Sequence, residues 1–167
     1  YRPDSLEIIE EPGHLYVELR KKEHSPQIYS GENEVIIIFG TPVVGSTVVK
    51  DRQGAKELVR RLKYSPQEVD SVFVVFVYSR PGRSCKIFSD RFGFFVVYIL
   101  QSSSGLLFST SYSAVIECAK AAGSVTVDYS AIFEFLWLRR LFGSKTYLTE
   151  ITTLPYGTIL EVEAGRK

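Results

Sequence analysis

The hydrophobic positions between residues 85 and 110 form three short runs that are separated by polar turn sequences. The first run stops at residues 90–93, Asp-Arg-Phe-Gly, and the second stops at residues 102–105, Ser-Ser-Ser-Gly. Short runs rich in Val, Ile, Phe and Tyr and bounded by Gly and Ser are typical of strands joined by turns. The segment therefore predicts three consecutive antiparallel strands.

Two further apolar runs, at residues 35–39 and 72–78, are almost free of polar positions. A strand that is apolar at every residue is typical of a sheet that is covered on both faces. We therefore expect both runs to be central strands with packing layers above and below them. Shorter strand candidates lie at residues 6–10, 15–19, 146–151 and 158–162.

A helical pattern replaces the strand pattern at residues 53–63 and again at residues 112–122. In the first segment Leu58, Val59 and Leu62 form one apolar stripe among charged residues, which indicates an amphipathic helix. The second segment is followed by Gly123, a typical residue at the end of a helix. Both segments are predicted to be helices with one buried face.

A third helix is predicted over residues 129–141, with Asp128 as its capping residue. Its apolar side chains cover more than half of the circumference, so we expect it to be well buried. The alternative is an exposed protein interface built from aromatic and arginine side chains. The residues of that alternative are Phe135, Trp137, Arg139, Arg140 and Phe142.

The order of the predicted elements is strands, a helix, strands, two adjacent helices and final strands. Helices placed between groups of hairpin-forming strands favour an α+β fold with helix layers on antiparallel sheet. Two packed sheets between helix layers would cover both faces of the two long apolar runs. No repeat, linker or low-complexity segment divides the chain, so residues 1–167 are predicted to form one domain.

The composition of the chain argues against several classes of binding partner. The 167 residues are 45% hydrophobic and carry a net charge of +1, which argues against nucleic-acid binding. No apolar stretch reaches the length of a membrane span and no signal-peptide pattern opens the chain, so we expect a cytoplasmic protein without a membrane partner. Cys85 and Cys118 stand in unrelated contexts, which predicts two reduced structural thiols and no metal site.

Four motifs between residues 72 and 157 occur in one order. They are Asp90-Arg91-Phe92-Gly93 with Tyr98, Gly105-Leu106-Leu107-Phe108-Ser109, Asp128 with residues 131–136, and Leu154-Pro155-Tyr156-Gly157. Together they resemble the glutaminase-type domain of asparagine synthetases. The resemblance implies the four-layer αββα sandwich of N-terminal-nucleophile hydrolases, built from mostly antiparallel sheets. It also implies that this amidotransferase-like domain belongs to a longer chain or a complex.

The catalytic residues of that family are not matched here. The family uses a cysteine at position one as the nucleophile and its free amine as the base. Tyr1 cannot form a thioester, and Cys85 and Cys118 lie within the chain with blocked backbone amines. The stretch Tyr1-Arg2-Pro3-Asp4 is itself similar to a family motif that lies well after the nucleophile. We therefore expect no catalytic glutaminase residue in this sequence.

The resemblance implies two weak ligand-binding positions. Residues 35–40 fall where the family has a strand that ends in Asn-Gly, whose donors stabilise an oxyanion. Phe39 offers no donor there, whereas the backbone N–H of Gly40 could still do so. Asp51 falls near the family aspartate that holds the amino group of glutamine. The alternative for Asp51 is a solvated acid that precedes a helix.

The remaining polar candidates are expected to be structural. Asp90 and Arg91 are predicted to hold the hairpin as a buried pair, with Gly93 in the same turn, rather than to form a site. His14 and His24 lie apart near turns and have no partners at the spacing of a catalytic triad. The basic residues Arg80, Arg83 and Lys86 are expected to be a solvated loop rather than a phosphate site.

Three functional hypotheses follow from these residues. The first is a degenerate amidotransferase-like domain that serves as a structural or docking domain for an ATP-dependent, amide-forming ligase, in cis or in trans. The second is a fragment of an active glutamine-hydrolysing asparagine synthetase whose N-terminal nucleophile segment is absent from this sequence. The third is a stand-alone ligand-binding or homo-oligomerising domain. In none of them does this chain hold a cofactor, since ATP and Mg²⁺ would belong to an attached ligase domain.

Overall fold

The computed structural model describes residues 6–11, 15–20, 26–102, 105–123 and 125–163. The fold is α+β, with three helices and several antiparallel sheets. The helices are α1 (Arg52–Tyr64), α2 (Tyr112–Ala121) and α3 (Tyr129–Leu138). The strands are β1 (Leu6–Glu11), β2 (Leu15–Arg20), β3 (Gln27–Ser30), β4 (Glu34–Gly40), β5 (Val43–Val44), β6 (Thr47–Val48), β7 (Val69–Asp70), β8 (Phe73–Ser79), β9 (Ser84–Ser89), β10 (Tyr98–Ser102), β11 (Gly105–Ser109), β12 (Ile151–Thr153) and β13 (Ile159–Glu163).

The largest sheet has five antiparallel strands in the order β13-β9-β8-β4-β3. The two long apolar runs form its neighbouring strands β4 and β8, paired from Glu34 opposite Ser79 to Gly40 opposite Phe73. Residues 35–38 are all buried, although alternate side chains of a strand point to opposite faces. The prediction of strands covered on both faces is therefore confirmed.

Helix α1 covers one face of the five-stranded sheet. Its buried residues Ala55, Leu58 and Leu62 belong to one hydrophobic cluster with Ile38 of β4 and Val75 of β8. Asp51 begins the helix, because its carboxylate accepts a hydrogen bond from the free backbone N–H of Gly54 at 2.7 Å. The helix predicted over residues 53–63 is confirmed, with its apolar stripe facing the sheet.

The opposite face of the same sheet packs against a second group of strands. Val74 of β8 and Ile87 of β9 are fully buried there, together with Val97. Ile99 of β10 and Phe108 of β11 pack against this cluster. These two strands belong to a three-stranded antiparallel sheet with the order β11-β10-β12.

Helix α2 packs beside that three-stranded sheet. Its buried residues Val115 and Ala119 form a cluster with Leu100 of β10 and Ile151 of β12. Leu100 and Ile99 are neighbours on one strand, so they point to opposite faces of the sheet. The helix ends before Gly123, which has a φ of +75° as expected for a terminating glycine.

The expectation of a well-buried third helix is wrong. Helix α3 ends at Leu138, because Arg139 adopts the left-handed conformation that terminates a helix. Ala131 is its one buried residue. Phe135 packs edge-to-face on Tyr147 in the chain segment that follows the helix. That segment covers one side of α3, and a broad apolar surface needs neighbours on more than one side to be buried.

The strand predicted at residues 146–151 is also mostly wrong, since β12 spans Ile151–Thr153. The hydroxyl of the buried Thr146 donates to the backbone carbonyls of Leu148 and Ile151 at 3.0 and 2.8 Å. Such side-chain bonds fold the backbone into turns and compete with a strand. The hairpin strands expected at residues 6–10 and 15–19 are confirmed as the antiparallel pair β1 and β2.

Candidate functional site

Gly40 ends strand β4 at the point where two stretches of backbone come close together. Its φ is +88°, and a Cβ at this position would collide with the carbonyl oxygen of Val72 and lie 2.8 Å from the ring of Phe95. The next residue, Thr41, donates its backbone N–H to the same Val72 carbonyl at 3.1 Å. Glycine is therefore required here by conformation and by space.

Phe39, beside Gly40, fills the space between the two sheets with an apolar ring. It packs against the clusters that contain Val35 and Val74, on the sheet face opposite α1. Its ring meets that of Phe76 edge-on, with 5.9 Å between centroids and 71° between planes. A phenyl ring offers no hydrogen-bond donor to a developing oxyanion. This position therefore contributes to the core.

Asp51 is an exposed capping residue of α1. It bonds the backbone N–H of Gly54. Its negative charge acts on Tyr29, whose pKa is raised by burial and, to a lesser degree, by Asp51. Gly40 instead contacts Val72 and Phe95. Asp51 is therefore described by the alternative given for it, a solvated acid that precedes a helix.

Asp90 organises the turn between β9 and β10 from a buried position. It is 1% exposed, and its Oδ1 accepts the backbone N–H groups of Phe92 and Gly93, both at 2.7 Å. Its own backbone bonds the carbonyl of Phe73 and the N–H of Gly157 at 3.1 and 2.9 Å. Asp90 thus ties this turn to β8 and to the loop before β13, which agrees with the structural role predicted for it.

The expected buried pair of Asp90 with Arg91 is wrong. The guanidinium of Arg91 is more than half exposed and bonds Asp70 at 2.6 Å instead. Adjacent residues of a tight turn point in different directions, so Arg91 turns outward when Asp90 turns inward. The second oxygen of Asp90, Oδ2, has no hydrogen-bond partner among the described residues. Gly93, with a φ of +67°, lies directly against the ring of Tyr156.

The basic residues near the turn between β8 and β9 do not converge on a common site. The guanidinium of Arg80 contacts the backbone carbonyl of Gly31. Lys86 pairs with Glu161 on the neighbouring strand β13 at 2.7 Å. Arg80 and Lys86 are thus engaged with different parts of the chain, and the solvated role expected for the three basic residues stays a prediction.

Both cysteines are free, as expected for two reduced thiols. Burial raises the pKa of the Cys85 thiol to about 11, whereas Cys118 is exposed on α2. Since the thiolate is the nucleophile, Cys85 is a poor one at neutral pH. Neither position therefore supplies an activated nucleophile between the two sheets.

This difference predicts the thiol reactivity of the folded protein. At pH 8 about one Cys85 side chain in a thousand is a thiolate, because the pH lies about 3 units below its pKa. With 5,5′-dithiobis(2-nitrobenzoic acid), we expect one fast thiol in the native protein and a second one only after denaturation. Cys118→Ser should remove the fast reaction of the native protein. Cys85→Ser should remove the thiol that reacts only after denaturation. Two equally fast thiols in the native protein would contradict this assignment of burial.

Helix α3 exposes residues that the sequence pattern places in the core. Trp137 is 84% exposed, and Tyr129, Phe133 and Leu136 are also exposed. Arg140 lies over the ring of Phe142 with 4.2 Å to its centroid. The exposure that the alternative requires is thus present for Trp137, Phe142 and the two arginines, whereas Phe135 packs against Tyr147. That this surface is a protein interface stays a prediction. Residues 129, 133, 136 and 137 recur at the spacing of one helix face, and this recurrence is the feature of the sequence that could have indicated an exposed apolar surface.

Several candidate residues lie outside the described residues, namely Tyr1-Arg2-Pro3-Asp4, His14 and His24. In the part of the chain that the structure describes, no group of three or more His, Cys, Asp or Glu side chains is placed to hold a metal ion. No helix in that part is both long and apolar enough to cross a membrane.

Comparisons with known proteins add no family to this geometry. No protein-family model matches the chain, and no curated protein matches its sequence significantly. The resemblance to asparagine synthetases therefore rests on the motifs between residues 72 and 157, and a function has to be argued from the positions and chemistry of the residues.

Proposed function

We propose that this chain is a glutamine amidotransferase-like domain that has lost glutaminase chemistry and serves as a structural or docking domain. The partner in this proposal is an ATP-dependent ligase that forms amides, located on the same chain or on a second one. The domain itself binds no cofactor in this proposal, and ATP and Mg²⁺ belong to the ligase.

The arrangement of the hydrophobic clusters supports the four-layer αββα sandwich that the proposal assumes. One cluster joins α1 to the five-stranded sheet, through Leu58 and Ile38 among others. A second cluster joins that sheet to β10 and β11, and a third joins α2 to β10 and β12. Successive clusters of this kind are what two sheets packed between two helix layers require.

The packing of Phe39 is the observation that most strongly supports the proposed loss of glutaminase activity. In the glutaminase-type domains that the sequence resembles, the residue at this place donates a hydrogen bond to the oxyanion. Each such donor contributes about 3–4 kcal/mol to transition-state stabilisation. The resemblance assigns that position to Phe39, whose ring contacts that of Phe76 in this chain. The protonated Cys85 in the same core offers no substitute nucleophile.

An exposed aromatic surface on the turn between β9 and β10 supports the docking role. Phe92 and Phe94 are both exposed, with 6.2 Å between their ring centroids. Arg91 lies 6.0 Å from the ring of Phe92, and the exposed Tyr156 covers Gly93. Aromatic and arginine side chains are enriched in protein interfaces, and this surface belongs to the turn that Asp90 holds rigidly.

The proposal is tested on the full-length protein encoded by the intact reading frame. Its glutaminase activity is measured as ammonia released from glutamine, and its ligase activity as pyrophosphate or phosphate released from ATP with carboxylate and amine substrates. We expect no ammonia above the blank, and ATP-dependent amide formation that uses a free amine. A variant with Phe92→Asp and Phe94→Asp should lower ligase activity or weaken the association of the two domains.

The matched control is Tyr64→Asp, because Tyr64 is a similarly exposed aromatic residue at the end of α1. It should leave ligase activity unchanged. Ammonia release from glutamine that depends on a cysteine upstream of this sequence would favour the fragment of an active glutaminase. The docking role would be refuted by a full-length protein without ligase activity, or by one in which Phe92→Asp with Phe94→Asp changes neither ligase activity nor the association of the domains.

A further inference from the structure

One side of helix α3 is an apolar face that no described element covers. Tyr129, Phe133, Leu136 and Trp137 recur at the spacing of one helix face, and all four are exposed. We call these four residues the α3 face. An exposed aromatic side chain presents roughly 150–250 Å². The face and the adjacent Phe142 therefore display on the order of 500 Å² of apolar surface. This is the size of the largest apolar patch on many monomers, and such patches are often functional.

The two ends of α3 differ in charge. Lys145, which also acts on Asp128, is already paired with Glu134 of the same helix at 2.8 Å. Arg139 and Arg140 are exposed at its C-terminal end. At the N-terminal end, bonds from Ser130 and from the Ala131 N–H lower the pKa of Asp128. The bond from the Thr126 N–H lowers the pKa of Glu150 to about 2. Both carboxylates are thus ionised at neutral pH, at the end opposite the arginines.

This charge pattern is complementary to itself when two helices run antiparallel. A two-fold axis through Phe133 relates residue 129 of one copy to residue 137 of the other, since both lie four positions from Phe133. The axis therefore sets Tyr129 against the partner's Trp137 and Phe133 against the partner's Phe133. The arginines that follow the C-terminal end of one helix then lie towards the N-terminal end of the other, where Asp128 caps the helix and Glu150 bonds the backbone N–H of Thr126. The same surface of each copy therefore contacts its counterpart on the other, as in an isologous interface.

We propose that this chain forms a homodimer in which the α3 faces of two copies pack antiparallel around a two-fold axis at Phe133. The apolar face supplies the centre of the interface, and the arginines and carboxylates at the two helix ends form its rim. This inference goes beyond the docking role proposed above and does not depend on it, because the turn with Phe92 and Phe94 is a different surface. A standard interface buries about 800 Å² on each partner, so the rim and loop 139–142 have to contribute alongside the apolar face.

The single tryptophan of the chain reports directly on this interface. Trp137 is almost fully solvent-exposed in one copy and covered in the proposed dimer. With rising protein concentration, we expect its emission maximum to shift to shorter wavelength and acrylamide quenching to fall. Sedimentation equilibrium on the same samples should give the mass of two chains over the same concentration range.

Two variants test the proposed register, and Phe94→Asp serves as the matched control because Phe94 is exposed outside the α3 face. Phe133→Asp should weaken dimerisation at least thirtyfold, roughly the effect of removing a central hot spot. A variant with Arg139→Glu and Arg140→Glu should also weaken it, and by more at low salt, because it sets like charges against Asp128 and Glu150. Phe94→Asp should dimerise like the parent protein. Circular dichroism establishes that each variant is folded.

Three results would overturn the proposal. The first is a chain that stays monomeric up to millimolar concentration with a fully quenched Trp137. The second is a dimer in which Trp137 remains exposed or that forms equally well with Phe133→Asp. The third is a full-length protein that sediments with the mass of one chain while Trp137 is covered, because another part of the same chain would then occupy the face.

Discussion

Replacing Phe88 with alanine is expected to lower the free energy of unfolding by about 3–5 kcal/mol. Phe88 is 2% exposed and lies in the cluster between α1 and the five-stranded sheet. On strand β9 it pairs with Val75 on one side and with Ile159 on the other, so the surrounding backbone is held by two ladders. Because those strands cannot collapse into the space, the substitution leaves a cavity as well as removing buried apolar surface.

Urea denaturation followed by far-ultraviolet circular dichroism measures this effect. Fluorescence is the poorer probe, because the one tryptophan is already exposed in the folded chain. Phe94→Ala is the matched control, since Phe94 is 70% exposed, and its effect should stay within about 0.5 kcal/mol. The protein concentration is kept constant, because dimerisation would add to the apparent stability. Equal midpoints for the two variants would show that Phe88 is not part of the core.

Gly40→Ala is expected to lower the free energy of unfolding by about 3 kcal/mol or more. A side chain at a left-handed backbone position costs about 1–2 kcal/mol. The new Cβ would also collide with the carbonyl oxygen of Val72, which accepts the backbone bond from Thr41. Moving that carbonyl away weakens a hydrogen bond that contributes about 1 kcal/mol. The clash therefore adds to the conformational cost.

Gly45→Ala separates these two contributions. Gly45 has a φ of +61°, but a Cβ there would meet no described heavy atom within 4 Å. Its substitution should therefore cost about 1–2 kcal/mol, the conformational part alone. The same urea titrations give both values. If Gly40→Ala is no more destabilising than Gly45→Ala, the close approach of β4 to Val72 is not a constraint on this fold.

The strands of the central sheet could be predicted because their signals are local. The runs at residues 35–39 and 72–78 are apolar at every position, and the structure covers both faces of β4 and β8. The turn at residues 90–93 was equally accessible, because an aspartate can bond backbone N–H groups two and three residues ahead in the chain. Each of these features depends on residues close together in sequence.

The partners of individual side chains could not be predicted in the same way. Arg91 was expected to pair with its neighbour Asp90 but pairs with Asp70, which lies 21 residues earlier in the chain. Asp51 and Gly40 were candidates for one ligand site, yet they contact different parts of the fold. Such contacts are decided by which elements become neighbours, and no local pattern contains that information.

The sequence alone determined the class of the fold, since alternation, apolar runs and capping residues specify strands and helices through local backbone and burial preferences. The tertiary structure alone decided which apolar surfaces are covered. Helices α1 and α2 each have a sheet to pack on, whereas α3 has the segment around Tyr147 on one side and solvent on the other. An apolar face shows that a helix can be buried, and only its three-dimensional neighbours determine whether this chain or a second molecule buries it.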